Sequence, residues 1–209
     1  MKKRTLEMAL SSVEPPESPD PSLEQYPTPP GIAADMLYLA YSMGDIAGKR
    51  VLDLGCGSGI FSIGAVLLGV ESVVGLDKDP LSVRKAMENA ERFPEARSYL
   101  ERGALEFLLE DVERFDGQAD TVLMNPPFGA QKRGADRPFL ETAFRVARVV
   151  YSLHNSGTEA FVSKKAEEFG AAVTLTKNYK FPIPFMFKFH RKEKKEIEVT
   201  MFRMEVDKR

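Results

Sequence analysis

The chain is poor in the residues that build cross-links and metal centres. Its 209 residues include a single cysteine, Cys56, and only two histidines, His154 and His190. That excludes an internal disulfide and a multi-cysteine zinc site, so no metal is expected; a reducing, cytoplasmic setting is. No run of 18 uninterrupted apolar residues occurs, and no membrane-spanning helix is predicted. Met1-Lys2-Lys3-Arg4 is followed by Thr5-Leu6-Glu7-Met8 and not by an apolar core, which speaks against a secretory signal. An excess of charge is missing as well. The net charge of −2 rules out a uniformly basic surface and leaves nucleic-acid binding to a local patch. Hydrophobic residues, at 43%, suffice for one α/β domain with a substantial core.

Residues 3–12 predict a short helix. The stretch 14–30 carries Pro15, Pro16, Pro19, Pro21, Pro27, Pro29 and Pro30 and must run extended. The chain divides into this N-terminal helix and proline-rich segment, 1–30, and a domain over 31–209. Apolar spacing gives an amphipathic helix over 32–43. Strands are predicted at 50–54, 72–76, 105–109, 119–124 and 149–153, and helices at 60–68, 80–92, 138–148 and 158–169. Asp79 is a suitable N-cap, with Pro80 at the first helical position. The stretch 95–106 reads as an insertion. The tail predicts a strand at 171–176, a loop with Pro182 and Pro184, and a strand at 196–204. The alternation implies a seven-stranded, mostly parallel sheet with a C-terminal antiparallel strand and helices on both faces.

Asp53-Leu54-Gly55-Cys56-Gly57-Ser58-Gly59 lies between a predicted strand and helix, where glycine allows a sharp turn and close approach of a ligand. Asp77 ends the next strand about 20 residues on, where a carboxylate accepts ribose hydroxyls. A dinucleotide fingerprint would place its third glycine at Ile60. G-x-G-x-G with the leading acid Asp53 resembles instead the S-adenosylmethionine loop of Rossmann-like methyltransferases. Asp111, after the third strand and beside Val112, is placed to accept an adenine amino group.

Asn125-Pro126-Pro127-Phe128 closes the apolar run Thr121–Met124. An exocyclic amine on an aromatic ring is a poor nucleophile because its lone pair is delocalised. Two acceptors, the Asn125 side-chain oxygen and the Pro126 carbonyl, could grip its two N–H groups and aim the lone pair at a sulfonium methyl. Pro127 holds Pro126 extended, and Phe128 offers a ring for stacking a planar substrate. Positioning in a low-polarity pocket then suffices, without a dedicated base.

Together with Glu24-Gln25-Tyr26-Pro27-Thr28, Tyr151-Ser152-Leu153-His154 and Lys188-Phe189-His190, these motifs resemble the methyltransferase-like family that makes N6-methyladenosine in small-subunit ribosomal RNA. The resemblance spans residues 20–204 and implies a class I methyltransferase fold. It implies that Gln25 and Thr28 contact S-adenosylmethionine from the N-terminal segment, that Gly55, Ser58 and Ile60 line the pocket with Gly57, that Asp77 takes the ribose, and that Asp111 and Val112 take the adenine. Ser58 departs from relatives that carry a second cysteine there. A small zinc-binding activator that covers an edge strand is implied as a partner, here over Leu105, Phe107, Leu108 and Leu109.

Lys188, His190, Arg191 and Lys192 form a basic cluster beside aromatic residues, and Lys132 and Arg133 flank the Asn-Pro-Pro-Phe. Both groups are candidates for RNA phosphates. His154 reads as a packing or hydrogen-bonding residue, and Cys56 as a small buried filler. The rival functions are protein-glutamine methylation, whose target amide is also planar, DNA adenine methylation, and a non-catalytic cofactor-binding scaffold.

Overall fold

A computed structural model describes residues 1–16, 26–129, 134–183 and 195–207. The elements are α1 (Lys3–Leu10), α2 (Pro30–Ser42), β1 (Arg50–Leu54), α3 (Ile60–Leu67), β2 (Ser72–Asp77), α4 (Pro80–Glu91), α5 (Pro94–Glu101), β3 (Leu105–Leu109), β4 (Thr121–Met124), α6 (Arg137–Val146), β5 (Val149–Asn155), α7 (Glu159–Glu168), β6 (Ala171–Ile183) and β7 (Lys195–Val206). The strands form one sheet in the order β3-β2-β1-β4-β5-β7-β6. β7 runs antiparallel to both neighbours, so the other six strands point one way.

Period-two alternation splits the strand side chains between two cores. Val51, Leu123 and Tyr151 face one way and pack with α1, α2 and α3 through Leu6, Leu10, Met36, Leu37 and Ile63. Leu52, Leu54, Val122, Met124 and Val150 face the other way and pack on α6 and α7 through Leu140, Phe144 and Val162. The N-terminal helix is thus built into the first core, with Leu6 and Leu10 fully buried. No helix among the described residues is long and apolar enough to cross a membrane.

Two elements differ from the sequence expectations. The stretch read as an insertion is largely α5, opened by Pro94 at its first position and held by the buried Ala96 and by the Tyr99 hydroxyl, which donates at 2.7 Å to the Val70 carbonyl in the turn before β2. The predicted loop at Pro182 is instead part of β6, which runs to Ile183. β6 is an edge strand, and an edge tolerates proline because half of its N–H groups face away from the ladder. Pro184 lies outside the described residues.

Candidate active site

From β1 the chain crosses to β2 on one side and later returns to β4 on the other, which leaves a crevice at the C-terminal ends of β1 and β4. A cavity of about 310 Å³ opens there, within the size range of small-molecule sites. Of the residues predicted from sequence, Thr28, Gly55, Gly57, Ser58, Ile60, Asp77, Asp111, Val112, Asn125 and Pro127 line it.

The glycine loop is shaped by what surrounds it. Gly59 caps α3 with φ +79°, and a Cβ there would sit 3.1 Å from the Ala86 Cβ and 3.3 Å from the Phe107 ring, so only glycine serves. The Asp77 carboxylate accepts the Gly57 N–H through Oδ2 and the Asp79 N–H through Oδ1, both at 3.0 Å. Burial pushes its pKa up, against the pull of those two donors. Asp111 is exposed at the rim, where Oδ1 accepts the Glu113 N–H at 3.1 Å and opens a short 3₁₀ turn. Val112 is buried behind it, with its carbonyl held by Thr142 at 3.0 Å.

Asp53 departs from the expected cofactor contact. Its side chain is 1% exposed, does not line the cavity, and turns beneath α3. There Oδ2 accepts the Ser62 hydroxyl at 2.6 Å and the Ser62 N–H at 3.0 Å. Position parity explains this: Asp53 shares the α3-facing side of β1 with Val51. Burial, opposed by Ser62, pushes its pKa up to about 7.

At the end of β4, the Asn125 amide nitrogen donates to the Tyr26 carbonyl at 3.3 Å and to the Thr28 hydroxyl at 3.0 Å. Its Oδ1 is buried and has no partner among the described residues. Pro126 is buried and does not line the cavity. Nor does the Phe128 ring, which stacks on Tyr26 with centroids 6.3 Å apart and meets Phe181 edge-on at 5.6 Å. The Phe128 carbonyl accepts from Asn155 at 3.2 Å, which ties the loop to the end of β5. His154 is 2% exposed between Ser152 (2.7 Å) and Asp136 (3.3 Å). Ser152 is fully buried, so the serine, histidine and aspartate brace the exit of the loop and offer no nucleophile to a substrate. Cys56 is buried, and burial pushes its thiol pKa well up. Gln25, Lys132, Arg133, Lys188, His190, Arg191 and Lys192 lie outside the described residues.

Sequence reasoning missed Tyr26 as a wall of the cavity, together with Phe139, whose ring would lie 2.9 Å from a Cβ on Gly55. It also missed Asn89. The one available signal was a polar residue on the alanine-lined buried face of α4.

The ribosomal protein L11 methyltransferase (PrmA) family model matches residues 35–125. The chain is 41% identical to the rRNA N(6)-adenosine-methyltransferase Mettl5 of Drosophila melanogaster, over 99% of its own length and 97% of the relative's. A crystal structure of a Pyrococcus horikoshii protein, provisionally named an RNA methyltransferase, matches with a TM-score of 0.88 and 41% identity, covering 99% of this chain and 98% of that one. Magnesium protoporphyrin IX methyltransferase from Synechocystis with bound S-adenosylmethionine shares the fold alone, with a TM-score of 0.62 and 19% identity over 83% of this chain and 77% of its own.

Proposed function

Because the chain belongs to the family of the METTL5-type rRNA N6-adenosine-methyltransferases, we propose that it methylates N6 of an adenosine in small-subunit ribosomal RNA, with S-adenosylmethionine as donor. The observation that carries the reading is the Asn125 amide. Its nitrogen is committed to Tyr26 and Thr28, while its buried oxygen has no donor among the described residues. A buried acceptor left unpaired is costly, and an adenine amino group brings the N–H it lacks. The second N–H is assigned to the Pro126 carbonyl, which the base would have to reach between Asn125 and Pro127, the two neighbours that line the cavity; the lone pair is then drawn out of conjugation and aimed along one direction. Phe128, backed by Phe181 and stacked on Tyr26, supports the base.

The cavity suits the cofactor by the acceptors that line it. Asp77, already fixed by two backbone N–H groups, keeps lone pairs for ribose hydroxyls, and Asp111 and Val112 flank the place of the adenine. When bound, S-adenosylmethionine supplies a methyl group made electrophilic by its sulfonium. The residues around it orient the amine, exclude water and leave the proton of the methylated nitrogen to solvent. Thr28 and Gln25 belong to an N-terminal segment, residues 1–30, that completes the pocket of the 31–209 domain; Thr28 and Tyr26 line the cavity. Lys132, Arg133, Lys188, His190, Arg191 and Lys192 are assigned to the RNA backbone.

A small zinc-binding activator on β3 belongs to the same reading. β3 is a sheet edge, Leu109 is 58% exposed and Phe107 and Leu108 are half-buried, which suits strand addition by a partner.

The test is transfer of labelled methyl to ribosomal subunits, total RNA, DNA and protein extract in parallel, followed by nucleoside analysis. Label in N6-methyladenosine of small-subunit RNA supports the reading. Label confined to protein glutamine or to DNA overturns it.

A further inference from the structure

An amide side chain that grips a substrate through its oxygen must be prevented from turning over, since its two ends are nearly the same size. The Tyr26 carbonyl has lone pairs and no proton, so it cannot face an oxygen. With the Asn125 nitrogen 3.3 Å from that carbonyl and 3.0 Å from the Thr28 hydroxyl, both amide hydrogens are used and one orientation is left. The same segment meets the other end of the tetrapeptide, where the Tyr26 and Phe128 rings lie 17° from parallel. Thr28 is itself 8% exposed, so water competes little for the bond.

We infer that Thr28 and the Tyr26 main chain are positioning elements for the reaction: they lock the Asn125 carboxamide so that its oxygen points to the substrate amine. The proposal rests on the reading that Asn125 grips that amine. It gives residues 26–28 a role beyond walling the cofactor cavity, because the segment that borders the donor also sets the geometry of the acceptor. It also predicts that asparagine serves better than aspartate at position 125. A carboxylate would keep an acceptor towards the substrate but would set a second oxygen against the Tyr26 carbonyl.

The full-length protein is assayed on the RNA that it methylates, with the single-turnover rate measured at saturating RNA and cofactor and the cofactor Kd measured by calorimetry. Thr28→Val keeps the shape and removes the acceptor; at saturating cofactor, where its share in the cavity wall no longer affects occupancy, it is expected to slow the rate about tenfold, the effect of one lost hydrogen bond at a buried group. Thr28→Ser should restore the rate, and Asn125→Asp should be slower than Thr28→Val. Thr28→Ala gives the same reading should valine impair folding. A Thr28→Val protein with a raised cofactor Kd and an unchanged saturated rate would overturn the proposal and leave Thr28 as a cofactor contact. An Asn125→Ala protein at full rate would instead overturn the functional reading beneath it.

Discussion

The Asn89 amide nitrogen reaches the Ser58 carbonyl at 3.0 Å and the Glu14 carbonyl at 2.8 Å, while its oxygen accepts the Glu14 N–H at 3.1 Å. One side chain, 1% exposed on α4, thus holds both the glycine loop and the N-terminal segment where it approaches the cavity. Asn89→Ala leaves three polar groups without their partner. It should weaken cofactor binding about tenfold and lower stability by roughly 2 kcal/mol. The rate at saturating cofactor should stay near that of the unaltered protein, because Asn89 touches neither Asn125 nor its supports. Calorimetry, urea unfolding and single-turnover rates check the three parts. An unchanged Kd would mean that the glycine loop holds its shape without α4.

Asp77→Asn tests the carboxylate at the end of β2. An amide oxygen can replace one carboxylate oxygen, but its NH₂ would face the N–H of Gly57 or Asp79, both now donors to Asp77. The anionic acceptor for ribose is lost too. Cofactor affinity should fall about 10- to 100-fold, the range for a hydrogen bond to a charged group. S-adenosylhomocysteine shares the ribose, so it should lose affinity in parallel. A loss confined to S-adenosylmethionine would place Asp77 near the sulfonium and not the sugar.

The sequence disclosed the sheet because each strand carries a local signal: β1 and β3 match their predicted bounds. The signals failed where tertiary context decides. Pro182 breaks a strand in isolation, but β6 holds it on an edge that needs fewer donors. α5 is short and polar on most of its surface, and its burial rests on Ala96. Within the site, the glycine loop, Asp77 and the Asn-Pro-Pro-Phe were legible because their chemistry is written in adjacent residues. The hold of Tyr26 and Thr28 on Asn125 crosses about a hundred positions and could not be read along the chain. Asp53 was legible as an acid of the loop, but the direction it faces became clear only from the side of β1 that α3 covers.

Arg203 on β7 is 4% exposed and binds Asp45 Oδ2 at 2.9 Å; the Tyr151 hydroxyl reaches the same oxygen at 2.7 Å. Its Nη1 also donates to Thr174, at the bulge of β6. The group joins the turn after α2 to three strands. Burial and Asp45 push the Tyr151 pKa up, so the hydroxyl stays a donor throughout the ordinary pH range. Arg203→Met should cost roughly 3 kcal/mol because it strands a buried carboxylate. Arg203→Met with Asp45→Leu should recover part of that loss, in spite of carrying two changes. Urea midpoints at pH 7 decide it, and a double variant less stable than the single one would mean that Asp45 stabilises the fold through the Tyr151 hydroxyl and not through Arg203.

Asp53 makes stability depend on pH in a direction opposite to most paired carboxylates. Its pKa lies near 7 in the folded chain, raised by burial, against about 3.9 for an unfolded aspartate. Between these values the folded chain binds the extra proton. Stability contributed at this position is therefore highest below about pH 4, falls as pH rises towards 7, and is level above it. The span corresponds to a loss on the order of 4 kcal/mol. Asp53→Asn keeps an oxygen for Ser62 and removes the titration. Its amide nitrogen takes the place of an oxygen that lacks a partner among the described residues, a cost that does not vary with pH. Urea unfolding of both proteins at pH 5 and pH 8 isolates the contribution of Asp53 together with its electrostatic coupling to Asp77. The unaltered protein should lose more stability than Asp53→Asn between those two pH values. Equal losses would mean that Asp53 is ionised at pH 5 in the folded chain, with Ser62 outweighing its burial.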